Sequence, residues 1–196
     1  MRDAHDQHIS ELIQRCRDRD DRAFAQVVAH FGPAVYHFIL RMVKNRQIAE
    51  DVYQETWMRV YDHLDRYDDR GRFKSWLFQI ANRLCLNQLR SLRSVFVPLA
   101  EIFEGVNGRP TALQMSSSSG LPDTEVEQRE AMALVEKALQ LMPVKQKQVF
   151  LLRIHAEMSF KEIAVTLGRP LNTVLTQMRA AFGHLHKKMS EQYNDL

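Results

Sequence analysis

Three groups of polar side chains stand at spacings that could do chemistry. The first is acidic: Glu50, Asp51, Glu55 and Asp62, with Gln54 and Arg59 among them, mostly three or four residues apart. On a helix that spacing makes one stripe. It could dock against a basic helix of a protein partner, hold a divalent cation, or simply be solvated. No histidine falls at ligand spacing beside these carboxylates, which weakens the cation option. The second group is basic: Arg83, Asn87 and Arg90, separated by four and three residues, follow the stretch Asp68-Asp69-Arg70-Gly71-Arg72-Phe73-Lys74. There Gly71 permits a turn and cations flank an aromatic ring, a composition that can clamp single-stranded nucleic acid, rings stacking on bases and cations tracking phosphates. Trp76 could join that platform, although an aromatic at helical spacing is more often core. The third group is Lys161, Arg169, Asn172, Thr173, Thr176, Gln177 and Arg179, hydrogen-bonding types suited to base edges or phosphates.

The elements that must position these groups read as helices throughout. Apolar residues recur three and four apart, and alternating runs of β-branched residues are absent. Ala49, Val52, Tyr53, Trp57, Val60, Tyr61 and Leu64 form the apolar side of the helix that carries the acidic stripe. A second helix, from about Phe73 to Leu92, sets Leu77, Ile80, Ala81, Leu84 and Leu89 opposite the basic stripe. Further on, Val149, Phe150, Leu152 and Ile154 mark a buried helix following Pro143. Ser159 and Glu162 predict a capping box for a short helix with Phe160, Ile163, Ala164 and Leu167 on its buried face. Gly168 ends it, and a helix burying Leu171, Val174, Leu175 and Met178 follows after a few residues. The spacing predicts a helix-turn-helix over about 160–179, whose second helix presents its N-terminal half outward, towards a major groove. The plain alternative is a structural bundle of three short helices.

Between the helical parts, Pro98, Gly105, Gly108, Pro110, the serine run 116–119, Gly120 and Pro122 cannot hold a packed helix and read as a flexible linker. The expected organisation is an all-α chain of two small helical domains, residues 1–94 and 126–196, joined by a linker over 95–125. The linker is acidic, and basic residues concentrate in the two domains. Two basic modules on a tether suit one long anionic partner.

The bulk figures agree. Net charge is +3 over 196 residues, basic but not by itself a nucleic-acid signature. Cys16 and Cys85 belong to no CxxC or Cys/His pattern, so neither a disulfide framework nor a structural zinc is indicated, and a reducing cytoplasm is the simplest home. The N-terminus lacks an apolar secretory region, and no stretch approaches the roughly 18 apolar residues of a membrane span. Eight histidines form no HExxH or comparable constellation. These features predict no enzyme activity, cofactor, metal or membrane insertion: the sites bind and do not react.

Three passages together carry a family resemblance: Ala49 to Tyr61 (AEDVYQETWMRVY), Gly71 to Ala81 (GRFKSWLFQIA) and Ser159 to Ala164 (SFKEIA). In order and separation they resemble the extracytoplasmic-function sigma factors of the sigma-70 family. The resemblance implies a region 2-like N-terminal bundle and a region 4-like C-terminal helix-turn-helix. It further implies that Asp51, Gln54, Glu55, Arg59 and Asp62 bind core RNA polymerase. Arg72, Phe73, Lys74, Arg83, Asn87 and Arg90 would read a melted minus-10 element, and Lys161, Arg169, Asn172, Thr173, Thr176, Gln177 and Arg179 a duplex minus-35 element. Promoter DNA, core polymerase and an anti-sigma factor are the implied partners. Two departures stand out. Leu175, Gln177, Ala180 and Phe182 occupy positions where the family commonly carries Lys or Arg, so phosphate attraction should be weaker. The pair Asn82-Arg83 also stands where the family often has a different residue followed by Asn. The rival readings are a stand-alone helix-turn-helix regulator and a metal-dependent nuclease built on Glu50, Asp51 and Glu55.

Overall fold

The structure, a computed structural model, describes residues 2–68, 71–100 and 135–193. Four helices make the first half: α1 (Arg2–Arg17), α2 (Asp21–Val43), α3 (Arg46–His63), continued by a single 3-10 turn at Leu64–Arg66, and α4 (Phe73–Ala100). The second half holds α5 (helical at residues 135–141), α6 (Val144–Ile154), α7 (Phe160–Leu167) and α8 (Leu171–Tyr193). Among the described residues there is no strand, as the three-four periodicity predicts.

The breaks between helices have local causes. Asp20 caps α2, its carboxylate accepting from the amides of Arg22 and Ala23 at 3.0 and 3.1 Å. Lys44, at φ 62°, ends α2, and Asn45 caps α3 by accepting from the Ile48 amide at 3.0 Å. Each such cap satisfies helix-end donors that would otherwise be left unpaired, at about 1 kcal/mol per cap. Helix α2 is the hub of the N-terminal bundle, packing on α1, α3 and α4. Its buried face includes Val27, Phe31, Val35, Phe38 and Ile39. Contrary to the sequence expectation, α2 is long and apolar enough by length and composition to cross a membrane. Its apolar face is instead spent on the bundle, where Phe38 meets Phe78 of α4 edge-on at 5.5 Å. Cys16 and Cys85 are both buried. Burial, with a smaller push from Asp20, raises the Cys16 thiol to about 11, and burial raises that of Cys85 to about 12. Both therefore pack as small hydrophobes.

In the C-terminal half, the capping box forms as expected. The Ser159 hydroxyl accepts from the Glu162 amide at 3.3 Å, and the Glu162 carboxylate accepts from the Ser159 amide at 2.6 Å. Gly168 ends α7 in the left-handed region at φ 60°, with nothing near the place a Cβ would take. Gly168→Ala is therefore expected to cost about 1 kcal/mol through backbone conformation alone, read as a lower denaturant midpoint with unchanged slope.

Four expectations need correction. Helix α4 continues to Ala100, so positions 95–100, read as linker, are helical. The linker from residue 101 onward lies outside the described residues. Pro143 is the residue before the first turn of α6. Ile154 and Leu171, expected to be buried, are exposed, because Ile154 is the last residue of α6 and Leu171 the first of α8, where the helix face turns out of the core.

Candidate nucleic-acid and protein-docking surfaces

Helix α3 is oriented by what it buries. Ala49, Val52, Thr56, Trp57 and Val60 face the bundle, and the Thr56 hydroxyl satisfies itself inside by donating to the Val52 carbonyl at 2.7 Å. Asp51, Gln54, Arg59 and Asp62 are thereby exposed and Glu55 half-exposed, all on one side. Arg59 Nε donates to Glu55 Oε1 at 2.7 Å, an exposed pair of the kind that contributes well under 1 kcal/mol. Met58 lies in the middle of this stripe, 62% exposed. The sequence reading missed it by searching for polar side chains. The signal was there, since position 58 is seven residues after 51 and four before 62. The face is thus acidic at its ends with an apolar contact at its centre, the composition of a protein-docking surface. Among the described residues no cluster of carboxylate, histidine or cysteine groups suits a metal ion.

Helix α4 buries Phe73, Leu77, Phe78, Ala81, Leu84 and Cys85, which leaves Arg83, Asn87 and Arg90 on the exposed side. Arg72 is exposed and Lys74 half-buried; Asp69 and Arg70 lie outside the described residues. Gly71 has φ 67°, as the turn before α4 requires. Phe73 does not fit its expected role. It is 3% exposed and packed among Phe31, Tyr67 and Trp76 at centroid distances of 5.5, 5.7 and 5.8 Å, so neither ring face is open to a base. As the first residue of α4 it closes the end of the bundle core. Phe73→Ala is accordingly expected to destabilise the protein by about 3 kcal/mol, visible as a lower thermal midpoint; a base-stacking residue would leave that midpoint in place. Trp76, expected as core, is half-buried, stacked on Tyr67 at 4.6 Å and 24°.

In the helix-turn-helix, α7 packs on α8 with Ile163, Val174 and Met178 buried. Lys161, Asn172, Thr173, Thr176 and Arg179 are exposed, and the Thr176 hydroxyl donates back to the Asn172 carbonyl at 2.9 Å. Arg169 and Gln177 are different. Both are half-buried, with Arg169 Nη1 donating to Gln177 Oε1 at 2.8 Å and Arg169 Nη2 to Gln148 Oε1 at 2.7 Å. Burial lowers the pKa of the Arg169 guanidinium. Of the four positions lacking the expected cations, Gln177 is thus engaged internally and Leu175 is half-buried. Ala180 and Phe182 are exposed, Phe182 meeting Phe150 edge-on at 6.1 Å.

Residues 27–95 match Sigma-70 region 2, and residues 132–185 match Sigma-70, region 4. The ECF RNA polymerase sigma factor SigW of Bacillus subtilis is 28% identical over 183 residues, covering 93% of this chain and 97% of its own. Among solved structures, CnrH in complex with the cytosolic domain of CnrY aligns with a TM-score of 0.67 at 21% identity, covering 92% of this chain and 96% of the other. The sigma factor RpoE from Bartonella quintana, in complex with the anti-sigma factor NepR, aligns with a TM-score of 0.60 at 20% identity, covering 85% and 96%. At these identities the two structural likenesses speak for the fold.

Proposed function

Because the chain belongs to the sigma-70 family, as a factor of the extracytoplasmic-function type, we propose specific tasks for its three surfaces. The protein directs promoter-specific transcription initiation as a subunit of RNA polymerase. Helix α3 docks core polymerase through Asp51, Gln54, Glu55, Arg59 and Asp62, with Met58 as the apolar centre of the contact. Arg72, Lys74, Arg83, Asn87 and Arg90 hold the melted minus-10 strand by its phosphates and unpaired bases. Lys161, Arg169, Asn172, Thr173, Thr176, Gln177 and Arg179 read the minus-35 duplex. Each surface is assigned a binding task, and the protein works by positioning the polymerase on the promoter, in the cytoplasm. An anti-sigma factor is the expected antagonist, as NepR is bound to RpoE in the related structure.

The observation that carries this reading is the presence in one chain of an outward acidic helix, a basic stripe on the next helix and a capped helix-turn-helix. A stand-alone regulator needs only the last. Transcript starts mapped after overexpression of the full chain are expected to share two upstream sequence blocks, one near minus-10 and one near minus-35. New starts sharing only a single duplex site would sink the proposal.

A further inference from the structure

The two polar ends of one glutamine on the recognition helix are not equally free. Gln177 lies four residues after the exposed Thr173, one turn further along the same face of α8. Its Oε1 accepts from Arg169 Nη1 at 2.8 Å, whereas among the described residues nothing accepts from its Nε2. Arg169 is itself anchored from below. Its Nη2 donates at 2.7 Å to Oε1 of Gln148 on α6, a side chain only 1% exposed.

The chemistry of the three groups fixes their directions. A guanidinium carries donors and no acceptor. Each carboxamide bonded to it therefore turns its oxygen towards Arg169 and its amino group away. For Gln148 the amino group meets Asn82 Oδ1 at 2.6 Å; for Gln177 it is left for solvent or a partner. Arg169, Gln148 and Gln177 all belong to the C-terminal half, so the order of Gln177 does not depend on where that half is docked.

A glutamine held in this way reads a different base from a free one. A free carboxamide offers one donor and one acceptor, which match N7 and the N6 amino group of adenine in the major groove. With its oxygen taken, Gln177 offers donors alone. Guanine presents two acceptors there, N7 and O6, while adenine sets its own amino group against that of the glutamine and cytosine presents only a donor. We propose that Arg169 sets the polarity of Gln177, making it a guanine-reading donor within the minus-35 element in place of an adenine-reading carboxamide. In this role Gln177 touches the base and Arg169 is a positioning residue that acts through it. The inference rests on the proposed minus-35 task of α8 and adds the base that one of its residues selects.

The test uses holoenzyme assembled from core polymerase and the full chain, transcribing a promoter library randomised over the minus-35 block. Gln177→Ala marks the base pair facing residue 177 as the position whose preference it erases. At that position the unaltered chain should favour guanine over adenine about ten-fold. Arg169→Met fills similar space but donates nothing, so the Gln177 oxygen is released and the preference at the same position should turn to adenine. Arg169→Lys, which still only donates, should keep guanine. A purely structural role for Arg169 would weaken every position alike and exchange no base. Adenine favoured by the unaltered chain at the marked position overturns the inference, whether or not the methionine variant folds. So does guanine retained in Arg169→Met, or a Gln177→Ala variant that changes no position. A library without any minus-35 preference for the unaltered chain would instead sink the promoter reading itself.

Discussion

Substituting Asp51→Arg together with Asp62→Arg is expected to abolish association with core polymerase, a loss of at least about a hundred-fold, while the thermal midpoint stays nearly unchanged. Both carboxylates are exposed on α3 and neither supports the bundle, whose contacts run through Ala49, Val52, Trp57 and Val60 on the other side. Surface substitutions away from packing contacts change stability by about 0.5 kcal/mol or less. Opposing like charges across an interface costs several kcal/mol, and two reversals flank the exposed Met58 that would form the contact's centre. Co-migration with core enzyme at low ionic strength, beside a melting curve, separates the two effects. Retained co-migration would move the polymerase contact off this helix.

The second large effect is a dependence on pH of the closed arrangement in which α6 packs on α2 and α7 on α4. Lys147, next to the buried Gln148 on α6, is itself 3% exposed. Burial lowers its pKa from 10.5 to about 7, with Lys44 of α2 pushing the same way and Glu136 of α5 opposing. A second group, His155 at the end of α6, is half-buried with its ring stacked on that of His37 at 5.9 Å. Burial, then Arg41 and His37, lower it from 6.5 to about 4. For both bases the closed form binds fewer protons than an open form in which the side chains return to water. Closure therefore strengthens as pH rises between about 7 and 10.5 through Lys147, and weakens as pH falls from 6.5 to about 4 through His155. From pH 7 to pH 9 the Lys147 contribution should favour closure by about 2 kcal/mol. A radius of gyration that shrinks over that interval, and a Lys147→Met variant whose radius stays compact throughout, are the expected results. A lysine variant retaining the full pH response would assign the effect to other groups.

Sequence periodicity made the individual helices legible because a helix has one repeat, and the residues that obey it sort themselves into buried and exposed faces. The acidic stripe of α3, the basic stripe of α4, the capping box at Ser159 and the left-handed Gly168 all follow from spacing and backbone chemistry within a few residues. Even Met58 was within reach of that logic, had the stripe been read by position and not by polarity.

What lay beyond it are the features set by contacts between residues far apart in the chain. Phe73 has the same neighbours in sequence whether its ring faces a base or the core; Phe31, forty-two positions earlier, decides that it is core. Arg169, in the turn before the recognition helix, and Gln177 on it look free until Arg169 is seen to donate both to Gln177 and to Gln148, brought from α6. Lys147 would be an ordinary surface cation by composition, and only the docking of α6 against the end of α2 removes it from water. Local spacing fixed which surfaces the chain can offer, since helix geometry is a short-range property. Which of them are open was settled by tertiary packing, because burial and hydrogen-bond partners depend on segments that the local pattern does not relate.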